Sequence, residues 1–133
     1  MPLTADRNTP MKDGEIIPVA LAAGAKVYAG GIAVANATGY GAPGSVATTL
    51  TYLGRFEEQV DNSAGIDGAK SALVRRGKAF KFKNEAADLV TQASLGKVCY
   101  IVDDETVALT DGVGTRSAAG VVVGIDSDGV WVQ

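Results

Sequence analysis

Two stretches bring together residue types that can do chemistry. Cys99 is the only cysteine and stands four positions ahead of three consecutive acids, Asp103, Asp104 and Glu105. A thiolate nucleophile beside a carboxylate-held divalent cation would be the chemistry of that stretch. Farther back, Phe80 and Phe82 alternate with Lys81 and Lys83, after Arg75, Arg76 and Lys78. Aromatics interleaved with cations stack bases and neutralise phosphates in single-strand nucleic-acid binders. The chain contains no histidine. That removes the commonest general base, the commonest metal ligand and every Ser-His or Cys-His pair.

Each stretch also has a plainer reading. Turns favour Asp, whose carboxylate accepts from nearby backbone N–H groups, and adjacent residues on a strand point to opposite faces. Asp103, Asp104 and Glu105 are therefore expected as a solvated turn between two strands, with a metal-dependent hydrolase or lyase as the rival. Cys99 lies between Val98 and Tyr100 on an expected buried strand, where a thiol is inert. Phe80 and Phe82 alternate with period two, so they are expected in the core with lysines facing water. The alternative is a nucleic-acid-binding β-barrel using both rings and the basic face. The glycine-rich 30–44 stretch lacks phosphate-loop spacing, and DNSAGIDG (61–68) lacks the spacing of a calcium loop. No catalytic residue, cofactor or metal is expected, and the chain is not expected to be an enzyme.

The elements that hold these residues follow from composition and period. The chain has 133 residues, 47% of them apolar and 20% charged, which fits a globular protein with one core. Seventeen glycines favour turns between many short strands. A net charge of −3 argues against nucleic-acid binding as the main activity. No membrane span or secretion leader is expected. Residues 1–15, with two prolines and no periodicity, are expected as an extended arm, and residues 16–133 as a single β-rich domain. Gly30-Gly31 and Asp128-Gly129 each signal a hairpin. TGYGAPGS (38–45) reads as a loop, and Trp131 as a residue closing the core. Asn84 as N-cap, Gly96 beyond the end, and Ala86, Leu89, Val90 and Ala93 on one face predict a short helix over 84–95. GAKVYAGGIAVANATG (24–39) resembles GKVCYIVDDETVALTDG (96–112), and YLGRF (52–56) resembles VVGID (122–126). Their offset of 70–73 residues suggests two copies building the halves of one barrel. The expected fold is mainly β: an antiparallel β-sandwich or small β-barrel with one short helix and an extended N-terminal arm.

The segments VDNSAGIDGAK, VRRGKAFKF, GKVCYIVDDETVALTDG and TRSAAGVVVGIDSDGVWV together resemble the head decoration, or capsid cement, proteins of tailed bacteriophages, over residues 16–133. The resemblance implies a structural protein, made in the bacterial host cytoplasm and placed on the outer surface of the virion head. It implies that the protein stabilises the capsid by bridging neighbouring major capsid protein subunits, often as a homotrimer, with an N-terminal arm that orders on the shell. No membrane or nucleic-acid partner is implied. The expected contacts are Leu3, Thr4, Arg7 and Met11 on the arm, the loops 38–45 and 61–68, and Arg75, Arg76 and Lys78.

Overall fold

The computed structural model describes residues 2–133. Residues 2–15 form no regular element and are exposed throughout. The accessible surface, 7623 Å², exceeds the roughly 6,500 Å² of a compact chain of this mass, as such an arm requires. Twelve strands follow: β1 (Ile16–Ala20), β2 (Lys26–Val27), β3 (Ile32–Ala35), β4 (Gly41–Pro43), β5 (Thr51–Phe56), β6 (Val60–Asp61), β7 (Ser71–Arg75), β8 (Phe80–Asn84), β9 (Val98–Ile101), β10 (Thr106–Ala108), β11 (Ala118–Asp126) and β12 (Gly129–Val132). The fold is mainly β and barrel-like, and most pairings are antiparallel. β8 shows why: Phe80 and Phe82 are buried and Lys81 and Lys83 exposed, the alternation a one-sided strand demands.

The strands form two five-stranded units. β1-β7-β5-β3-β4 make a sheet whose two edges meet where Leu21, just past β1, bridges Gly41 in parallel. β10-β8-β12-β11-β9 close into a barrel whose parallel pair is β10 with β8. β2 and β6 form a separate small ladder.

The two units share one topology. Taken in chain order, β1, β3, β4, β5 and β7 correspond to β8 through β12, and every pairing recurs with the same direction. Register recurs as well. Ala35↔Gly41 answers to Ile101↔Val107, and Ile32↔Arg55 to Val98↔Val121. The closing bridge Leu21↔Gly41 answers to Asn84↔Val107. From β3 to β5 the displacement is 66 positions, as in Ala35 to Ile101 and Gly54 to Gly120. Turn hydrogen bonds obey it. Gly30 N–H donates to Phe56 O as Gly96 N–H does to Val122 O, and Gly31 N–H to Tyr28 O as Lys97 N–H does to Ser94 O.

This corrects the expected repeat in two ways. The 70–73 offset matched β2–β3 to β9–β10, whereas the true counterpart of β9–β10 is β3–β4. Each copy also builds its own unit rather than half of a common barrel. Gly30-Gly31 accordingly makes a turn without a hairpin, because β2 pairs with β6 while β3 pairs with β4 and β5. At the other glycine signal the hairpin β11–β12 is present, with Ser127-Asp128 as its two turn residues and Asp126 opposite Gly129.

The units touch through β3. Its alternation sends Ala33 into the core of the first unit and Ile32 and Val34 into that of the second. Each of those two fully buried side chains contributes roughly 2 kcal/mol of hydrophobic stabilisation. Three local expectations change. The segment 84–95 is helical only at Gln92–Ser94, a 3-10 turn. Asn84 ends β8 instead of capping a helix: its amide donates to Val90 O and accepts from Val90 N–H, closing the loop as it would otherwise close a helix end. Gly41–Pro43, read as loop, pair with β3. Trp131 faces outward because Val130 and Val132 take the inward positions of β12, and its indole N–H donates to Asp126.

Candidate interaction surface

The reactive-looking residues do not assemble into a catalytic arrangement. Cys99 is buried on β9, where desolvation pushes its thiol up to about 12 and Sγ lies 3.7 Å from Gly120 O. It is protonated at neutral pH. The acids occupy the β9–β10 turn. Asp103 Oδ1 accepts from Glu105 N–H at 2.8 Å and Glu105 pairs with Lys83 at 2.6 Å. Asp104 is partly buried, which raises its carboxyl above the usual range with help from the neighbouring Asp103. Among the described residues no three His, Cys, Asp or Glu side chains gather as a cation site would need.

Phe80 and Phe82 sit in the core with ring centroids 6.4 Å apart, and the Arg55 guanidinium covers Phe80 at 4.7 Å. Neither ring offers a face to a base. The cations around them are paired: Lys81 with Asp128, Lys83 with Glu105, Lys78 with Glu15, and Arg75 and Arg55 both with Glu57.

The expected contact residues fall into two groups. Arg75, Arg76 and Lys78 gather at the root of the arm. Arg76 N–H donates to Glu15 O at 2.7 Å, Lys78 Nζ lies 3.1 Å from the Glu15 carboxylate, and a shallow cleft opens between 13–15 and Arg76-Gly77. Arg75 is half-buried and spent on Glu57. Leu3, Thr4, Arg7 and Met11 are held by nothing on the body: Arg7 donates to Thr9, and Leu3 and Met11 are 72% and 98% exposed. Of the two loops, 61–68 is fastened by the buried Asn62, whose amide donates to Ala22 O and Ile66 O, and by Asp67, which accepts from Ala23 N–H.

No family profile, curated protein or solved structure matches the chain. Among the described residues no helix is long and apolar enough to cross a membrane.

Two surface features have no counterpart in the sequence reading. The first is an apolar side of the second unit, where Leu95, Val98, Val121 and Val123 are all exposed. In the run Val121-Val122-Val123 only Val122 is buried, because strand alternation sends Val121 and Val123 to the outer face. The second is the loop 109–116. Asp88 accepts from Thr110 N–H, Thr110 Oγ1 and Arg116 Nη1, so the loop is tied down. At its tip Val113 is wholly exposed and holds φ +60°, which a β-branched residue rarely adopts. A lock between residues 28 positions apart leaves no local sequence signal.

Proposed function

We propose that this chain is a structural protein of a tailed-bacteriophage head, decorating its outside and tying neighbouring major capsid protein subunits together, as a homotrimer. The observation that carries this reading is the arm. Residues 2–15 leave the body beside Arg76 and Lys78 with Leu3 and Met11 in solvent, and no part of the fold covers them. Apolar side chains on an extended arm gain burial only against an external surface. The resemblance over residues 16–133 supplies the kind of surface, a repeating protein lattice.

Such a protein works by mass action. Binding only the assembled lattice lowers that state's free energy by about 2.7 kcal/mol per site at a hundredfold excess over Kd. A specific contact needs roughly 800 Å² from each partner, which an arm and its root supply more easily than the root alone. The nucleic-acid reading has no observation in its favour, since both rings are interior and the lysines beside them are paired.

The test is co-sedimentation with emptied, expanded heads of the phage carrying this chain, stripped of their own decoration. Saturable, stoichiometric binding is expected at micromolar concentration. Removing residues 2–12 is expected to weaken it at least tenfold while leaving the body folded. Absence of binding by the intact chain overturns the reading.

A further inference from the structure

One side of the second unit carries apolar side chains that no described residue fully covers. Val98 on β9 lies opposite Val121 on β11, 43% and 37% exposed, with Leu95 and Val123 beside them. The duplicated topology shows what covers such a side in the first unit. The residues equivalent to Val98 and Tyr100 are Ile32 and Val34, and both are fully buried. What lies against that side is the end of the second unit. Ile32 N–H donates to Asp104 O at 2.7 Å, Ile101 and the Asp103 carbonyl approach Gly44, and Ser117 Oγ bonds both Ala47 O and Leu50 N–H. The contact runs from the side of one unit to the end of the next.

The same contact has an unused half on each unit. The side of β9–β11 is bare. The end of the first unit is open too: Ala37, Thr38 and Thr51, equivalent to Asp103, Asp104 and Ser117, are all exposed. We propose that the β9–β11 side seats the open end of the first unit of a second copy of this chain, continuing between molecules the packing that joins the two units within one. Two positions set the difference from the internal seam. Gly31 and Gly44, which let the turn backbone come close, are replaced in the second unit by Lys97 and Thr110. The contact between copies is therefore made by side chains, Leu95, Val98 and Val121 against Ala37 and Thr38, and is wider than the internal one. Because its two halves differ, it is heterologous, and successive copies either close into a ring or grow as a filament. The inference does not rest on capsid binding, and its readout is the mass of the free protein.

Light scattering on the size-fractionated chain, at tens of micromolar and above, tests it. The intact protein is expected to exceed monomer mass. Val98→Lys on the side and Thr38→Arg on the end are each expected to give monomers with an unchanged circular dichroism spectrum. Val121→Lys stands in if Val98→Lys does not fold. The decisive arm mixes the two variants. Each keeps one good half, so a heterologous contact predicts a dimer with one chain of each and nothing larger. A monomeric intact protein, a variant that keeps the intact mass, or a mixture that stays monomeric overturns the proposal.

Discussion

Asp88 and Asp104 respond to pH with opposite signs. Asp88 accepts from the Thr110 side chain, the Thr110 backbone and Arg116, and those bonds hold its carboxyl below the usual range. A depressed folded pKa contributes stability above the unfolded value near ~3.9 and loses it as pH falls through the folded one. Asp104 is raised, by burial first and by Asp103 next. Its charged form is penalised in the fold, so stability is lost as pH rises from about 3.9 through the folded value. Asp104→Asn is expected to melt above the intact protein at pH 7 and level with it below pH ~4. Asp88→Asn is expected to melt lower at pH 7, with the deficit shrinking in acid. Thermal unfolding at a series of pH values checks both. Cys99, pushed up to about 12 by burial, is expected to ignore thiol reagents at neutral pH until denaturant is added. The inward positions of β8 were legible from period two, as Phe80 and Phe82 follow it, whereas on β12 the size of Trp131 masked the same period, which turns Val130 and Val132 inward. Asp88, Asn62 and the Ile32 seam were not, because their partners lie far along the chain and no local pattern marks them.

At the scale of elements, the bulges of β5 and β11 are the same device. Gly54 and Gly120 stand at equivalent positions, and a Cβ on either would overlap a carbonyl oxygen, that of Arg75 or that of Gln133. Gly54 also holds φ +142°. Overpacking of this kind costs roughly 1–3 kcal/mol, and the left-handed backbone adds about 1 kcal/mol for any L-residue at position 54. Gly120→Ala is therefore expected to lose stability in denaturant titration, and Gly54→Ala to lose more. Val113→Gly runs the other way. Relief of φ +60° at an exposed tip is expected to stabilise by about 1 kcal/mol. A destabilised Val113→Gly would mean that the side chain packs where the structure leaves it bare. The strands and the β11–β12 hairpin were readable because alternation and Asp-Gly are local signals. The helix over 84–95 was misjudged for the converse reason. Asn84 fits an N-cap and Ala86, Leu89, Val90 and Ala93 a helical face, but Asn84 ends β8, and its amide closes the loop on Val90. Tertiary pairing overrode a marginal three-turn propensity. The duplication was visible only as composition, because in the true register few residues coincide, Gly30 with Gly96 and Gly54 with Gly120 among them.

For the whole molecule, the question is whether two units of one topology unfold as one body. The seam decides it. Ile32 is fully buried, belongs by chain to the first unit and by packing to the core of the second, and its N–H donates to Asp104 O. Arg55 lies over Phe80, and Ser117 bonds Ala47 and Leu50. A first unit closed by a single bridge, Leu21 to Gly41, has a weak edge of its own, so it gains more from the seam than the closed barrel does. Ile32→Ala removes buried methylenes and leaves a cavity, a loss of roughly 2–5 kcal/mol, and the chain is still expected to unfold in one transition. Ile32→Asp places an unpaired charge there and is expected to uncouple the units. Trp131 fluorescence reports the second unit alone, whereas far-ultraviolet circular dichroism reports both. In the intact protein the two signals are expected to change together with denaturant. In Ile32→Asp the dichroism is expected to fall first, as the first unit opens, with Trp131 following at higher denaturant. Coincident curves in that variant would mean that the units are coupled elsewhere than through β3.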